Sequence, residues 1–240
     1  MKLKFLGTRG EIDIRNRLHR MHSSLEVSYK GHAVMIDCGL DWQPRIDRMH
    51  PDAIVLTHAH PDHAWGLKNG APCRVYATEQ TWRILNRFPV LDRTTVEPRR
   101  AFQIDGITLQ AFPVEHSIRA PAVGYRIEAG ASSIFYVPDL VFIYDAHEAL
   151  SGIRLYIGDG ATLRRPIIRK RAGSLVGHSP IRTQLAWCRQ QGVGKALFTH
   201  CGSEIVRADS RQIAQAVRDL GLEQDVDSRI AVDGMEVILP

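Results

Sequence analysis

Short apolar runs separated by Gly, Pro and Asp recur along most of the chain, and their length and alternation predict strands. Residues 3–6, 25–29, 33–36, 53–57 and 74–77 form a first series. Residues 101–104, 107–112, 122–128, 133–137, 154–157 and 195–199 form a second. Asp105-Gly106 sits between two of these runs and predicts a tight hairpin. Asp233-Gly234, between residues 230–232 and 235–239, predicts another. Helical spacing is clearest in the second half. Ile181, Leu185 and Cys188 form one apolar stripe, with Ser179-Pro180 as cap and first-turn pair. Ile213, Ala216, Val217 and Leu220 form another, ended by Gly221. Residues 78–87 form a third, with Trp82 and Leu85 inward. These stripes read as core faces. Many strands, few helices and no regular βαβ alternation predict an α/β fold of two mixed sheets with helices outside. The pattern predicts one domain over residues 1–240 and leaves sandwich and barrel both open.

Composition narrows the class. Hydrophobic residues make up 44% and charged residues 24%, which excludes a disordered or coiled-coil chain and fits a soluble globular one. No apolar run approaches the roughly 18–20 residues of a membrane span, so no membrane partner is expected. The opening Met1-Lys2-Leu3-Lys4-Phe5 lacks the apolar stretch of a signal peptide. Cys38, Cys73, Cys188 and Cys201 are isolated, as expected in a reducing cytoplasm. The formal charge is +5 and arginine dominates the basic residues. Arginine binds phosphate or carboxylate bidentately, so this skew is compatible with an anionic substrate. A GC-rich coding sequence would give the same skew.

The strongest chemical signal is Thr57-His58-Ala59-His60-Pro61-Asp62-His63. A buried strand ending near Thr57 releases His58 and His60 two residues apart, with both rings on one side. Pro61 suits the first position of a helix, which puts Asp62 and His63 in the first turn. One short segment can thus serve two metal ions, one with a His pair and one with an Asp-His pair. More ligands are required, and three candidates each follow a strand: His116, Asp139 and His200. Asp139 could bridge two ions with its two oxygens. His19, His22, His32, His50 and His147 lack such a context and read as surface or structural.

This pattern resembles the metallo-β-lactamase-fold hydrolases, in residue order and over most of the chain. The resemblance implies an αββα sandwich with the metals at one edge. It implies His58, His60 and His116 on one ion, Asp62, His63 and His200 on the other, and Asp139 bridging. His60 stands where the related di-iron flavoproteins carry Glu, which argues against that branch. Phe5-Leu6-Gly7-Thr8, the loop ending at Ser23-Ser24 and Val232-Asp233-Gly234-Met235 resemble a narrower branch. It holds ribonuclease Z and the cyclic phosphodiesterase of the carbon–phosphorus lyase pathway. Gly177-His178-Ser179 resembles the place where that branch sets a non-ligating His against the scissile phosphate.

The expected chemistry is phosphodiester hydrolysis. Two divalent ions about 3.5–4 Å apart can hold a bridging hydroxide that attacks phosphorus in line. Asp62 would act through the ion it binds, and His178 would assist at a non-bridging oxygen or the leaving group. The alternative for His178 is a helix cap. All seven ligands are imidazole or carboxylate. Zn2+ is the first expectation, with Mn2+ and Fe2+ also suited. Residues 164–171 carry five basic residues on a predicted loop, so Arg164 or Arg165 is expected to bind a substrate phosphate. The basic loop 9–23 is a second candidate anion contact. No cysteine cluster stands in residues 9–23, and 240 residues leave no room for the long arm with which ribonuclease Z grips transfer RNA. A cyclic or small nucleotide-like phosphodiester is therefore the leading expectation. A nuclease acting on RNA or DNA ends comes next, and a lactonase or thioesterase last. Dimers are common in the resembled family, which makes a homodimer an expectation as well.

Overall fold

The computed structural model describes all 240 residues. Two sheets face each other. The first contains β1 (Lys2–Gly7), β2 (Ser24–Tyr29), β3 (His32–Ile36), β4 (Ala53–Val55), β5 (Arg74–Thr78), β6 (Arg93–Val96) and β17 (Glu236–Ile238). Their order is β17-β1-β2-β3-β4-β5-β6. The second contains β7 (Ala101–Ile104), β8 (Ile107–Glu115), β9 (Ala122–Ala129), β10 (Ser132–Tyr136), β11 (Phe142–Ile143), β12 (Leu155–Asp159), β15 (Lys195–Thr199) and β16 (Asp227–Ile230). Their order is β11-β8-β9-β10-β12-β15-β16, with β7 paired to β8. Both sheets are mixed: β3 to β6 run parallel in one, and β10, β12, β15 and β16 in the other.

Side-chain alternation decides the layers. Leu3, Phe5, Val27, Val34 and Ile36 of the first sheet meet Leu109, Tyr125, Ile127, Tyr136 and Ile157 of the second in a shared core. Met35, Ile54 and Val75 point the other way, toward Trp82 of α2 (Glu79–Ile84). Phe112, Phe135, Tyr156 and Phe198 point outward from the second sheet. They pack on Leu185 of α4 (Ile181–Gln190) and Val217 of α6 (Ser210–Leu222). The result is an αββα sandwich, which settles the choice that periodicity left open. The remaining helices are α1 (Pro61–Ala64), α3 (Ala146–Leu150) and α5 (Ser203–Arg207). No helix is long and apolar enough to cross a membrane.

Several local signals act as expected. Asp105 (φ 45°) and Gly106 (φ 83°) close the β7–β8 hairpin in the left-handed region that such turns need. Pro61 occupies the first turn of α1. Three expectations change. Residues 164–171 are not all loop: β13 (Ile167–Arg171) and β14 (Ser174–His178) form a separate two-stranded hairpin. Asp233-Gly234 makes a turn but no hairpin, because β16 joins the second sheet and β17 the first. Ser179 is not the cap of α4. Pro180 takes that place, and the Ser179 hydroxyl donates to the Val141 carbonyl at 2.6 Å.

Helix α6 is capped by Asp209, whose carboxylate accepts from the Arg211 and Gln212 amides at 3.0 and 3.1 Å. Gly221 lies inside this helix because a Cβ there would meet the Val226 carbonyl at 2.3 Å. Asp209→Ala should cost about 1 kcal/mol through the lost cap. Urea unfolding midpoints of the two proteins check this, with an unchanged slope expected.

Candidate metal centre

The sheets present their site residues at one edge. Strand β4 ends at Val55, two residues earlier than the sequence pattern predicts. Thr57 leaves the ladder because its amide donates to Asp37 Oδ1 at 2.8 Å. His58 and His60 follow, and α1 supplies Asp62 and His63. His116 follows β8, Asp139 follows β10 and His200 follows β15. The structure thus brings all seven predicted ligands to one place.

They form two groups that share Asp139. In the first, His58 Nε2 lies 3.0 Å from His60 Nδ1, and His116 Nε2 lies 3.2 Å from the same atom. Asp139 Oδ2 stands 3.3 Å from His58 Nε2 and 3.4 Å from His116 Nε2. In the second, His63 Nε2 is 3.2 Å from both Asp62 Oδ2 and Asp139 Oδ2. His200 Nε2 lies 2.9 Å from Asp62 Oδ2, and its Nδ1 lies 2.7 Å from Asp139 Oδ1. Donors held at about 2.0–2.1 Å around a tetrahedral cation stand roughly 3.3 Å apart, which is the spacing of the first group.

The orientation of each ring is fixed from outside. His58 Nδ1 is 3.0 Å from the Thr57 hydroxyl, and His63 Nδ1 is 2.8 Å from Asp37 Oδ2. His116 Nδ1 is 3.0 Å from the Gly177 carbonyl. These partners turn the Nε2 atoms inward, the arrangement that metal-ligating histidines require. Despite these short approaches, His63 Nε2, Asp139 Oδ1 and His200 Nδ1 are buried and make no hydrogen bond of proper geometry. Unsatisfied buried donors and acceptors are costly, and a divalent cation in each group would satisfy them. The residues therefore fit divalent metal ions.

Electrostatics agrees. Burial alone would raise Asp62 and Asp139, yet His63 and His200 hold both carboxyl groups far below the usual range. Burial would lower His63 and His200, but the surrounding carboxylates raise both well above an ordinary imidazole. Burial, followed by His63, pushes His58 far down, and burial takes His116 to about 4. One group thus favours neutral imidazoles, the form that ligates, while the other favours protonated ones, whose protons a cation would displace.

His178 stands beside these groups. Its Nδ1 donates to Asp159 Oδ2 at 2.8 Å, and its ring stacks near His200 at 5.5 Å. Asp159 is fully buried and also accepts from the Ala161 amide at 2.8 Å. Asp159 and Asp139 outweigh the effect of burial and raise His178 above the usual imidazole range. A cavity of about 400 Å³ opens over His60, Asp62, His116, Asp139, His178 and His200. Its outer wall includes Glu11, Thr162, Ile167 and Glu204. Burial and then Asp62 raise Glu11 to about 7.

No arginine or lysine lines this cavity. Arg164 is exposed and reaches Glu223 Oε1 at 3.2 Å. Arg165 is exposed as well, and its carbonyl accepts from the Thr162 hydroxyl at 2.5 Å. Neither member of this pair is part of the cavity lining. In the loop 9–23, Arg9 is fully buried against Asp41, and Arg15 joins the same carboxylate at 3.0 Å. Charge along the sequence does not report this internal pairing. Sequence reasoning also passes over Asp37, Asp159 and Glu11. Asp37 and Asp159 carry one weak signal, an acid at the end of a buried strand.

The residues 32–201 match the family described as Beta-lactamase superfamily domain. The chain belongs to that family. Among relatives, Ribonuclease Z of Methanococcus maripaludis is 28% identical over 153 residues, covering 52% of this chain and 49% of the relative. Ribonuclease Z of Methanopyrus kandleri is 29% identical over 143 residues, covering 52% and 50%. The chain thus spans about half the length of these relatives. Among solved structures, the metallo-β-lactamase fold protein YhfI from Bacillus subtilis superposes with a TM-score of 0.75 at 14% identity, covering 98% of both chains. A diphosphatase of the PhnP family gives 0.74 at 23% identity, covering 98% of this chain and 96% of the other. These superpositions show the metallo-β-lactamase fold.

Two outcomes test the centre. Asp62→Ala should hold one ion fewer than the parent chain by elemental analysis; equal occupancy would contradict its role as a ligand. Metal uptake should release protons, since the surrounding carboxylates make His63 and His200 hold a proton more tightly than an ordinary imidazole. Affinity should accordingly fall as pH falls, as read by calorimetry in buffers of different ionisation enthalpy.

Proposed function

We propose that this chain is a single-domain, two-metal phosphodiesterase. The observation that carries the reading is the pair of ligand groups joined by Asp139, with His178 held over the same cavity by Asp159. His58, His60 and His116 would hold one ion, Asp62, His63 and His200 the other, and Asp139 both. Zn2+ leads, with Mn2+ and Fe2+ also suited to this imidazole and carboxylate set. Bound there, the two cations supply Lewis acidity and a nucleophilic water at neutral pH.

The protein's own groups do the rest. Asp37, Thr57 and the Gly177 carbonyl lock the ligand rings before substrate arrives. Asp159 occupies His178 Nδ1, so Nε2 is the atom free to act. The raised proton affinity of His178 lets it donate to a non-bridging phosphate oxygen or protonate the departing alkoxide. The lining carries Asp62, Asp139, Glu11 and Glu204 but no basic side chain, so phosphate binding depends on the bound cations. The cavity volume suits one cyclic or small nucleotide-like diester.

A second reading, hydrolysis at RNA or DNA ends, is favoured by one observation. Arg169, Lys170 and Arg171 stand exposed at the tip of the β13–β14 hairpin, whose Ile167 lines the cavity. The relatives named Ribonuclease Z support the same reading. Oligonucleotide binding that weakens steeply with salt would favour this reading over the small diester.

Metal-loaded protein should hydrolyse bis(p-nitrophenyl) phosphate faster than the monoester, a lactone or a thioester. A faster lactone or thioester reaction would overturn the proposal. His178→Ala should retain both ions and lose roughly a hundredfold or more in diester turnover. Unchanged kinetics would reduce His178 to a structural neighbour of Asp159.

A further inference from the structure

A second cavity, of about 300 Å³, lies between loop 9–23, α6 and β16, and the reading above makes no use of it. Leu18, Ile205, Ile213 and Val232 are its apolar lining. Arg218 and Arg229 line it and are exposed. His19 lines it too and is only 4% exposed.

The hydrogen bonds around His19 determine what it offers. The Thr8 hydroxyl has one proton and gives it to Asp233 Oδ1 at 2.6 Å. That hydroxyl must therefore accept from His19 Nδ1, 2.8 Å away. Asp233 is itself fixed, since its Oδ2 accepts from the Arg20 and Met21 amides at 2.8 and 3.0 Å. Burial pushes the His19 imidazole below its usual range, against the pull of Asp233, and so favours the neutral ring. With Nδ1 donating to Thr8, the Nε2 of that ring is an acceptor with no partner in the protein. The two arginines are only lightly engaged. Arg218 reaches Gln215 on its own helix, and Arg229 stands 3.5 Å from Asp227.

We infer that this cavity binds a small hydroxylated organic acid. Its hydroxyl donates to His19 Nε2, its apolar body lies on Ile205 and Ile213, and its carboxylate meets Arg218 and Arg229. A carboxylate matches the guanidinium fork, and a hydroxyl donor matches His19 Nε2, which no protein group bonds. The two cavities share α5 as a wall: Ser203 and Glu204 line the candidate metal cavity, and Ile205 lines this one. Asn16 ties the loop to the same helix through the Val206 carbonyl at 2.8 Å.

Calorimetry of the metal-loaded full chain with 4-hydroxybenzoate is the test. One saturable site is expected. 4-Methoxybenzoate, which lacks the donor, and phenol, which lacks the carboxylate, should each bind roughly tenfold more weakly. Arg218→Ala/Arg229→Ala should weaken 4-hydroxybenzoate to a similar degree. Ala214→Phe, a half-buried position that narrows the cavity, should abolish binding without altering metal content. The inference fails if no saturable heat is seen or if the ether binds as tightly. It also fails if binding survives Ala214→Phe and disappears on chelation, which would place the acid on the metals. Diester hydrolysis does not enter this measurement, so neither proposal depends on the other.

Discussion

The structure depends on the burial of Asp139. A carboxylate wholly removed from water costs several kcal/mol unless charge and hydrogen bonds compensate it. Here it is surrounded by His58, His63, His116 and His200, and its Oδ1, although close to His200, makes no hydrogen bond of proper geometry. Such a cluster is tolerable only with positive charge inside it, as protons or as metal ions. The fold brings Asp139 to that position at the end of β10, between the strands that deliver His116 and His200. Both sheets are committed to it, because the His58–His63 segment comes from the opposite layer.

Close backbone approach makes the geometry possible. A Cβ on Gly39 would strike the Asp62 carbonyl at 1.9 Å, and one on Gly10 would press on the His200 ring at 3.0 Å. Asp37 (φ 64°) and His200 (φ 53°) both adopt the left-handed backbone that non-glycine residues avoid. Strain of this kind persists where surrounding contacts over-determine the conformation. For Asp37 those contacts are Thr57 and His63, and for His200 they are Asp62 and Asp139.

Much of this was legible in the sequence, for identifiable reasons. Strands buried on one or both faces leave alternating or continuous apolar runs, so most sandwich strands could be read within a residue or two. The His-x-His-x-Asp-His segment specified a strand end and a helix start together, and α1 begins at Pro61 as expected. The β13–β14 hairpin was not legible. Neither of its strands has a buried residue, and neither alternates apolar with polar positions. The placement of Arg164 and Arg165 outside the cavity lining was not legible either, because charge density along a chain says nothing of which way a turn sends it. Asp37 and Asp159 were missed because an acid after a strand looks the same whether it ends a turn or orients an imidazole.

The C-terminal turn at Asp233-Gly234 has a mechanical consequence. The chain leaves β16 in one layer and enters β17 in the other, while the Asp233 carboxylate holds the start of the loop beside β1. The crossing acts as a rivet through the sandwich. Peeling either sheet away strips the strand next to it from its partner, so the layers cannot loosen independently. The crossing thereby couples the two layers from which the seven candidate ligands are drawn.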